Sequence, residues 1–393
     1  MFKTGERIEM SGYKFAALVL GAIMVITSTS GFAASRAETI ATAAQSFLDS
    51  LDEAQLATVT MPMDTNERAK WTNLPNIMVQ PAGLLIKDMT NKTRRAMHAL
   101  MRATMSSQGY AKFTGIMLLD DLLHQIEAEA LRSNKERRDF VRFFSDPMAR
   151  AFIASRDYEN YTVAIFGNPS DTSWGWRITG HHAAMNFTIS DGRIGFTPTF
   201  LGSNPMEVQS GRYAGLMALA HEGERGIEFM KSLDDDQRKK AMIADQAAAN
   251  LFEGLGRRHS LDNYEGLLVS NLTKEQMHLL QRLITEFTHN ADHEAASAQL
   301  DAISEAGWDK LWFSWRGPVD ASGEFYYRVH GPRILIEYNR QDANHDHMIV
   351  RDPSNDYGED WLGRHYEEHH PNMKDVIENT RRRAASLSAN ERE

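Results

Sequence analysis

The sequence predicts an α+β protein. One mixed or antiparallel sheet, built from two groups of about four strands, carries helices before, between and after them. Three observations predict it. Apolar residues recur at helical spacing from Glu38 to about Tyr158 and again from Gly215 to about Gly307. Each stretch is followed by short alternating β-rich runs. Asp191-Gly192, between two such runs, is a strong hairpin signal.

In chain order, residues 1–34 read as a secretory signal. Lys14 precedes the uncharged run 15–26, and small residues lead to Gly31-Phe32-Ala33-Ala34, with cleavage expected after Ala33 or Ala34. Glu6 and Glu9 are unusual in such a leader, so translation from Met1 or from Met10 stays open. Residues 35–393 are expected to form a single domain. Residues 35–160 are helical, with Phe47, Leu51, Ala54 and Val59 marking a first face and Leu119, Leu122, Leu123 and Ile126 a later one. Pro62, Pro75, Pro81 and Pro147 separate the pieces. The strand region 161–201 holds runs at 161–166, 174–178, 181–190 and 193–200. A helical block follows at 203–308, with helix starts at Asp234 and at the capping box Thr273-Lys-Glu-Gln276. The strand region 309–352 holds runs at 311–316, 324–330, 333–339 and 345–351, and 353–393 is a helical C-terminus. No internal repeat is expected.

Composition narrows the function. The formal charge is −10 and becomes −11 once residues 1–34 are removed, so binding to nucleic acid by bulk charge is excluded. The absence of cysteine in an exported chain removes disulfides, thiolate metal sites and cysteine nucleophiles. No second apolar run approaches the length of a membrane span, so after signal cleavage a periplasmic or extracellular protein without membrane association is expected.

Histidine carries the chemistry. His345-Asp-His347 opens a predicted strand, where alternation puts His345, His347 and Arg351 on one face. A hairpin with the preceding strand would set Glu337 or Asn339 opposite the pair. Two imidazoles with a carboxylate or amide oxygen suit a divalent metal, with zinc first and manganese, iron or copper as alternatives. The other reading is a polar hairpin in which they only hydrogen-bond. His181-His182 follow Gly180; as adjacent strand residues they would face opposite ways, so that only one joins a site, and His182 would share its face with Asn186 and Thr188. His365-Tyr-Glu-Glu-His369 has the spacing of an inverted zinc-peptidase helix, although few downstream carboxylates remain to complete it. Met97, Met101 and Met105 read as core, as do Trp174, Trp176, Trp312 and Trp315. His221-Glu222 lacks the second histidine of a zincin helix.

The segments Trp174-Gly-Trp-Arg-Ile-Thr-Gly-His-His-Ala-Ala-Met-Asn186, Thr197-Pro-Thr-Phe-Leu-Gly-Ser-Asn-Pro205, Gly331-Pro-Arg-Ile-Leu-Ile-Glu337 and His345-Asp-His347 through Arg351-Asp-Pro-Ser-Asn-Asp-Tyr-Gly358 resemble the bacterial and fungal domain-of-unknown-function family 3500. The resemblance covers about Thr39 to His370. It implies that both strand groups belong to one domain, and it supplies no catalytic residue.

The expectation is an exported metal-dependent enzyme, of hydrolytic chemistry, acting on a small molecule. His181, His182, His345 and His347 are the metal-ligand candidates. Glu337 is a ligand or general base, and Asp352 is a group orienting the histidines. Arg328, Arg351, Asn186 and Asn339 are candidates for substrate contact. The alternative is a non-catalytic binding protein in which the strand arginines and tryptophans hold an anionic or sugar ligand.

Overall fold

Capping boxes start the first two helices. Ser35 and Glu38 exchange side-chain and backbone bonds ahead of α1 (Arg36–Leu48), and Asp52 and Gln55 do so ahead of α2 (Glu53–Val59). The computed structural model describes residues 34–132, 146–261, 263–320 and 323–369. The signal-like segment 1–33 and His370 lie outside the described residues. After α2 come β1 (Thr60–Met61), β2 (Leu84–Leu85), α3 (Asn91–Thr104), α4 (Ser107–Arg132), α5 (Asp146–Ala154), β3 (Thr162–Phe166), β4 (Ser173–Gly180), β5 (Ala183–Ser190), β6 (Arg193–Gly195) and β7 (Thr199–Ser203). The second part holds α6 (Ala220–Ser232), α7 (Asp235–Ala241), β8 (Met242–Ala244), β9 (Leu267–Leu268), α8 (Lys274–Thr288) and α9 (His293–Ala306). It closes with β10 (Trp312–Arg316), β11 (Phe325–Gly331), β12 (Ile334–Asp342), β13 (His345–Arg351) and α10 (Glu359–His369).

The fold is α+β, with every strand in one mixed sheet ordered β1-β3-β4-β5-β7-β13-β12-β11-β10-β8. β2 and β9 pair with β3 and β10. The predicted runs fall on the long strands; β1, β2, β8 and β9, two or three residues each, lie inside stretches read as helical. Among the described residues no helix is long and apolar enough to cross a membrane.

The strand order is symmetric about the β7–β13 pair, and the chain is a tandem duplication, contrary to the expectation of no repeat. Phe47-x-x-Ser-Leu-Asp-x-x-Gln55 returns as Phe229-x-x-Ser-Leu-Asp-x-x-Gln237, with the same capping box. Gly83-Leu-Leu-Ile-Lys-Asp-Met-Thr90 returns as Gly266-Leu-Leu-Val-Ser-Asn-Leu-Thr273, and Arg177-Ile-Thr-Gly180 as Arg328-Val-His-Gly331. β1 runs parallel to β3 as β8 does to β10. At Gly83 and Gly266 φ is +133° and +100°, and a Cβ would lie 2.4 and 2.2 Å from the carbonyl oxygens of Val163 and Phe313. Only glycine fits these two equivalent turns. The axis passes between Thr199 of β7 and Val350 of β13, which pair with each other.

Alternation then divides the sheet. Trp174, Trp176 and Ile178, with Tyr327, Val329 and Ile336, pack on the helices in one large core. The opposite face is covered by two equivalent loops, 62–83 and 245–266, and the strand arginines tie them down. Arg177 donates to the carbonyls of Glu67 and Ala82; Arg328 pairs with Glu265. Arg351 donates to the carbonyls of Glu253 and Arg257 and pairs with Asp356 at 2.6 Å, both side chains being buried. Burying these cations is tolerable because each guanidinium meets at least one oxygen, although Arg177 Nε and Arg328 Nε are left without a partner.

Two predictions follow from this face. Arg351→Met leaves the Asp356 carboxylate buried without its partner and should cost about 3–5 kcal/mol in urea unfolding; a loss below ~1 kcal/mol would contradict the anchoring role. His330, where the first copy has Thr179, is lowered to about 4 by burial and then by the Arg328 charge. The unfolded chain takes up this proton near pH 6.5 and the folded protein only near pH 4. Stability should therefore fall as pH drops from 6.5 to 4, and His330→Gln should flatten that part of the pH–stability curve.

Candidate metal centre

β4 and β5 are paired to their ends, Gly180 opposite Ala183, which leaves only His181 and His182 to reverse the chain. His182 takes φ +106°, a left-handed value that costs a non-glycine residue about 1–3 kcal/mol. The equivalent turn of the second copy, Pro332-Arg333, carries no such angle. Because the two histidines form a turn, strand alternation does not separate them, and their rings lie side by side with centroids 3.6 Å apart. Both rings thus lie together, but only His182 forms a three-ligand group with His345 and His347.

The H-x-H pair arrives across the pseudo-twofold axis. β13 pairs with β7, setting His347 beside Gly202, whose N–H donates to the carbonyl of His182 at 2.6 Å. A Cβ at Gly202 would lie 2.5 Å from His347 Cδ2, so the close approach needs glycine there. His345 and His347 share a face of β13, as predicted. His345 Nε2 then lies 3.1 Å from His182 Nε2 and 2.9 Å from His347 Nε2.

Asp120, on the buried side of α4, closes the cluster. It accepts from Tyr161 Oη at 2.8 Å, bonds His181 Nδ1 at 2.6 Å and sits 3.5 Å from His182 Nδ1. The Arg156 guanidinium bonds His181 Nε2 and pairs with Glu127 at 3.2 Å. Burial alone would raise the Asp120 carboxyl, but charge and hydrogen bonds from His181 and His182 outweigh it and hold the group well below the usual carboxylate range. Burial, then the neighbouring His181, pushes His182 far below the ordinary imidazole range. Burial and then His345 do the same to His347. These rings are neutral at pH 7, with lone pairs available. His182, His345 and His347 form one group with ligand atoms in metal-binding range of one another, and Asp120, His181 and His182 form a second that shares His182.

The remaining candidates lie elsewhere. Glu337 sits on the loop-covered face and accepts from the Phe252 and Glu253 amides and from Tyr326 Oη, so it anchors the 245–266 loop instead of serving a cation or a base role. Asp352 is paired with Arg333 and caps Ser354 at the far end of β13. Asn339 is opposite His347 in register, yet its amide donates to the Ala248 carbonyl; Asn186 donates to the Pro198 carbonyl. Arg328 and Arg351 are spent on Glu265 and Asp356, and Trp174, Trp176 and Trp315 are buried in the core. Trp312 is half-buried and stacks on Tyr264. His365 lies 3.4 Å from Asp191, at the opposite end of β5 from His182, and the side chains of Glu368 and His369 fall outside the described residues.

Sequence reading missed Asp120, Tyr161 and Arg156. The available signal was an acid inside the apolar run Met117-Leu-Leu-Asp-Asp-Leu-Leu123, where a core-facing carboxylate demands a partner.

No curated protein and no solved structure matches the chain. The model of the family described as protein of unknown function DUF3500 matches residues 33–359, a span that holds the duplication and every residue of the histidine cluster, and the chain belongs to that family.

Proposed function

We propose that the protein is an exported, metal-dependent enzyme of hydrolytic chemistry in which Nε2 of His182, His345 and His347 bind one divalent cation, zinc by preference. One observation carries this reading: His345 Nε2 lies 3.1 Å from His182 Nε2 and 2.9 Å from His347 Nε2, and ligand nitrogens of all three lie within 4.8 Å of one another. Imidazole nitrogens so placed have too few N–H protons to bridge every contact, and the remaining lone pairs repel unless a cation sits among them. Asp120, 3.5 Å from His182 Nδ1, supports it, because a carboxylate near the far nitrogen favours a proton there and leaves the other nitrogen's lone pair facing inward. Export is supported by the leader-like pattern of residues 1–34.

Three nitrogen ligands leave a coordination position free, as catalytic rather than structural zinc sites do. A cation held this way lowers the pKa of water to about 7 and polarises a carbonyl or phosphoryl oxygen, which is the chemistry of hydrolysis. His345, the one ligand with appreciable exposure, marks the open side.

Elemental analysis of protein purified without chelator should find about one metal ion per chain. Across the pseudo-twofold axis the positions equivalent to His182, His345 and His347 are Arg333, Arg193 and Gly195, none of them a metal-ligand type. His345→Ala/His347→Ala should abolish the metal; a substoichiometric content unchanged in that variant would contradict the site. Asp120→Asn should keep the fold and weaken metal affinity about 10- to 100-fold in a competition titration, whereas unaltered affinity would remove Asp120 from the site.

A further inference from the structure

We infer that the Arg156 guanidinium takes the place of a second metal ion and keeps the centre mononuclear, an inference that rests on the metal-centre reading. Asp120, His181 and His182 are buried, and one ligand atom from each lies within 4.8 Å of the others. By ligand type, a carboxylate and two imidazoles suit a divalent cation as well as three imidazoles do. This group and the first share His182, whose ring has a nitrogen for each, so cations in both would form a bridged pair. Two-metal centres clamp the attacking and the leaving oxygen together, whereas a lone cation supplies the nucleophile without that clamp. The occupancy of the second group therefore decides the chemistry.

His181 is closed to a metal on both nitrogens. A guanidinium donates and cannot accept, so the Arg156 Nη1 contact takes up the lone pair of His181 Nε2. The ring's one proton is then on Nδ1, which donates to Asp120 Oδ1 at 2.6 Å. That same oxygen lies 3.5 Å from His182 Nδ1, and Asp120 Oδ2 accepts from Tyr161 Oη at 2.8 Å. Arg156 thus commits the imidazole and, through it, the carboxylate. The guanidinium is itself fixed. It is buried, Glu127 oxygens lie 3.2 and 3.4 Å from its Nε and Nη2, and the Phe152 ring lies 4.3 Å away. Asp120 and Glu127 stand two turns apart on one face of α4, and the cation that links them through His181 is a guanidinium. A fixed unit charge there also opposes the approach of a dication.

Counting the zinc ions retained by zinc-equilibrated protein after desalting tests this. The wild type should hold one per chain. Arg156→Met removes the donors and lets the His181 proton move to Nε2. It should hold two, the second bound by Asp120, His181 and His182, whose Nδ1 proton passes to solvent. Arg156→Met/Glu127→Gln, which leaves no carboxylate unpaired by the loss of the arginine, should also hold two and covers the case in which the single variant does not fold. Adding His181→Ala to either should return the count to one, a change that loss of packing alone does not produce. One ion in both arginine variants, or two in the wild type, would overturn the inference with the metal centre intact. No ion in the wild type, with one gained in Arg156→Met and lost again with His181→Ala, would keep Arg156 as the excluding group and overturn the His182–His345–His347 reading alone. No ion in any variant would overturn both.

Discussion

The antiparallel pairing of β7 with β13 is the constraint on which the rest of the structure depends. It joins the two copies into one sheet, with Thr199 opposite Val350 on the axis. Fixing that register also fixes which ends of the copies meet. The β4–β5 turn of the first copy then lies against the opening of β13 in the second, and His182 meets His345 and His347. A slip of one residue would send both β13 histidines to the other face of the sheet. The site thus exists only because two halves are joined in one way, and neither copy contains it alone.

The same axis generates a second, equivalent location, and the two differ in chemistry. Where one turn has His181-His182 with a left-handed backbone, the other has Pro332-Arg333, with Arg333 paired to Asp352 and its carbonyl accepting from Gln299. The second location is an ordinary satisfied turn. The first holds a strained residue, imidazoles crowded nitrogen to nitrogen, and a glycine required by the closeness of His347. A fold tolerates such features when the surrounding scaffold over-determines them. Here that scaffold is the fully paired β4–β5 hairpin on one side and α4, through Asp120 and Tyr161, on the other.

Most of the sheet was legible in the sequence because its long strands combine alternation with clear turn signals, as at Asp191-Gly192. The short strands were not, since two or three residues cannot display a period. The duplication escaped notice because the shared blocks are brief and the spacing between copies changes where α4 and α5 stand in place of the shorter α9. At the site, His345 and His347 were readable from strand alternation alone. The facing of His181 and His182 was misread because a two-residue turn obeys turn geometry. Glu337 looked like a ligand because register places it near β13, but burial had already committed its oxygens to two loop amides. Asp120 lay far from the histidines in sequence and could be found only by asking what a carboxylate does on an apolar helix face.

X-ray absorption at the zinc edge of the zinc-loaded protein tests the central claim most directly, because it reads the ligands of the cation itself. The account predicts three imidazole nitrogens at about 2.0–2.1 Å, falling to two in His182→Ala, a residue of the first copy, and to two in His347→Ala, a residue of the second. A shell of oxygens, or a nitrogen count unchanged by either substitution, would contradict a metal centre built across the pseudo-twofold axis.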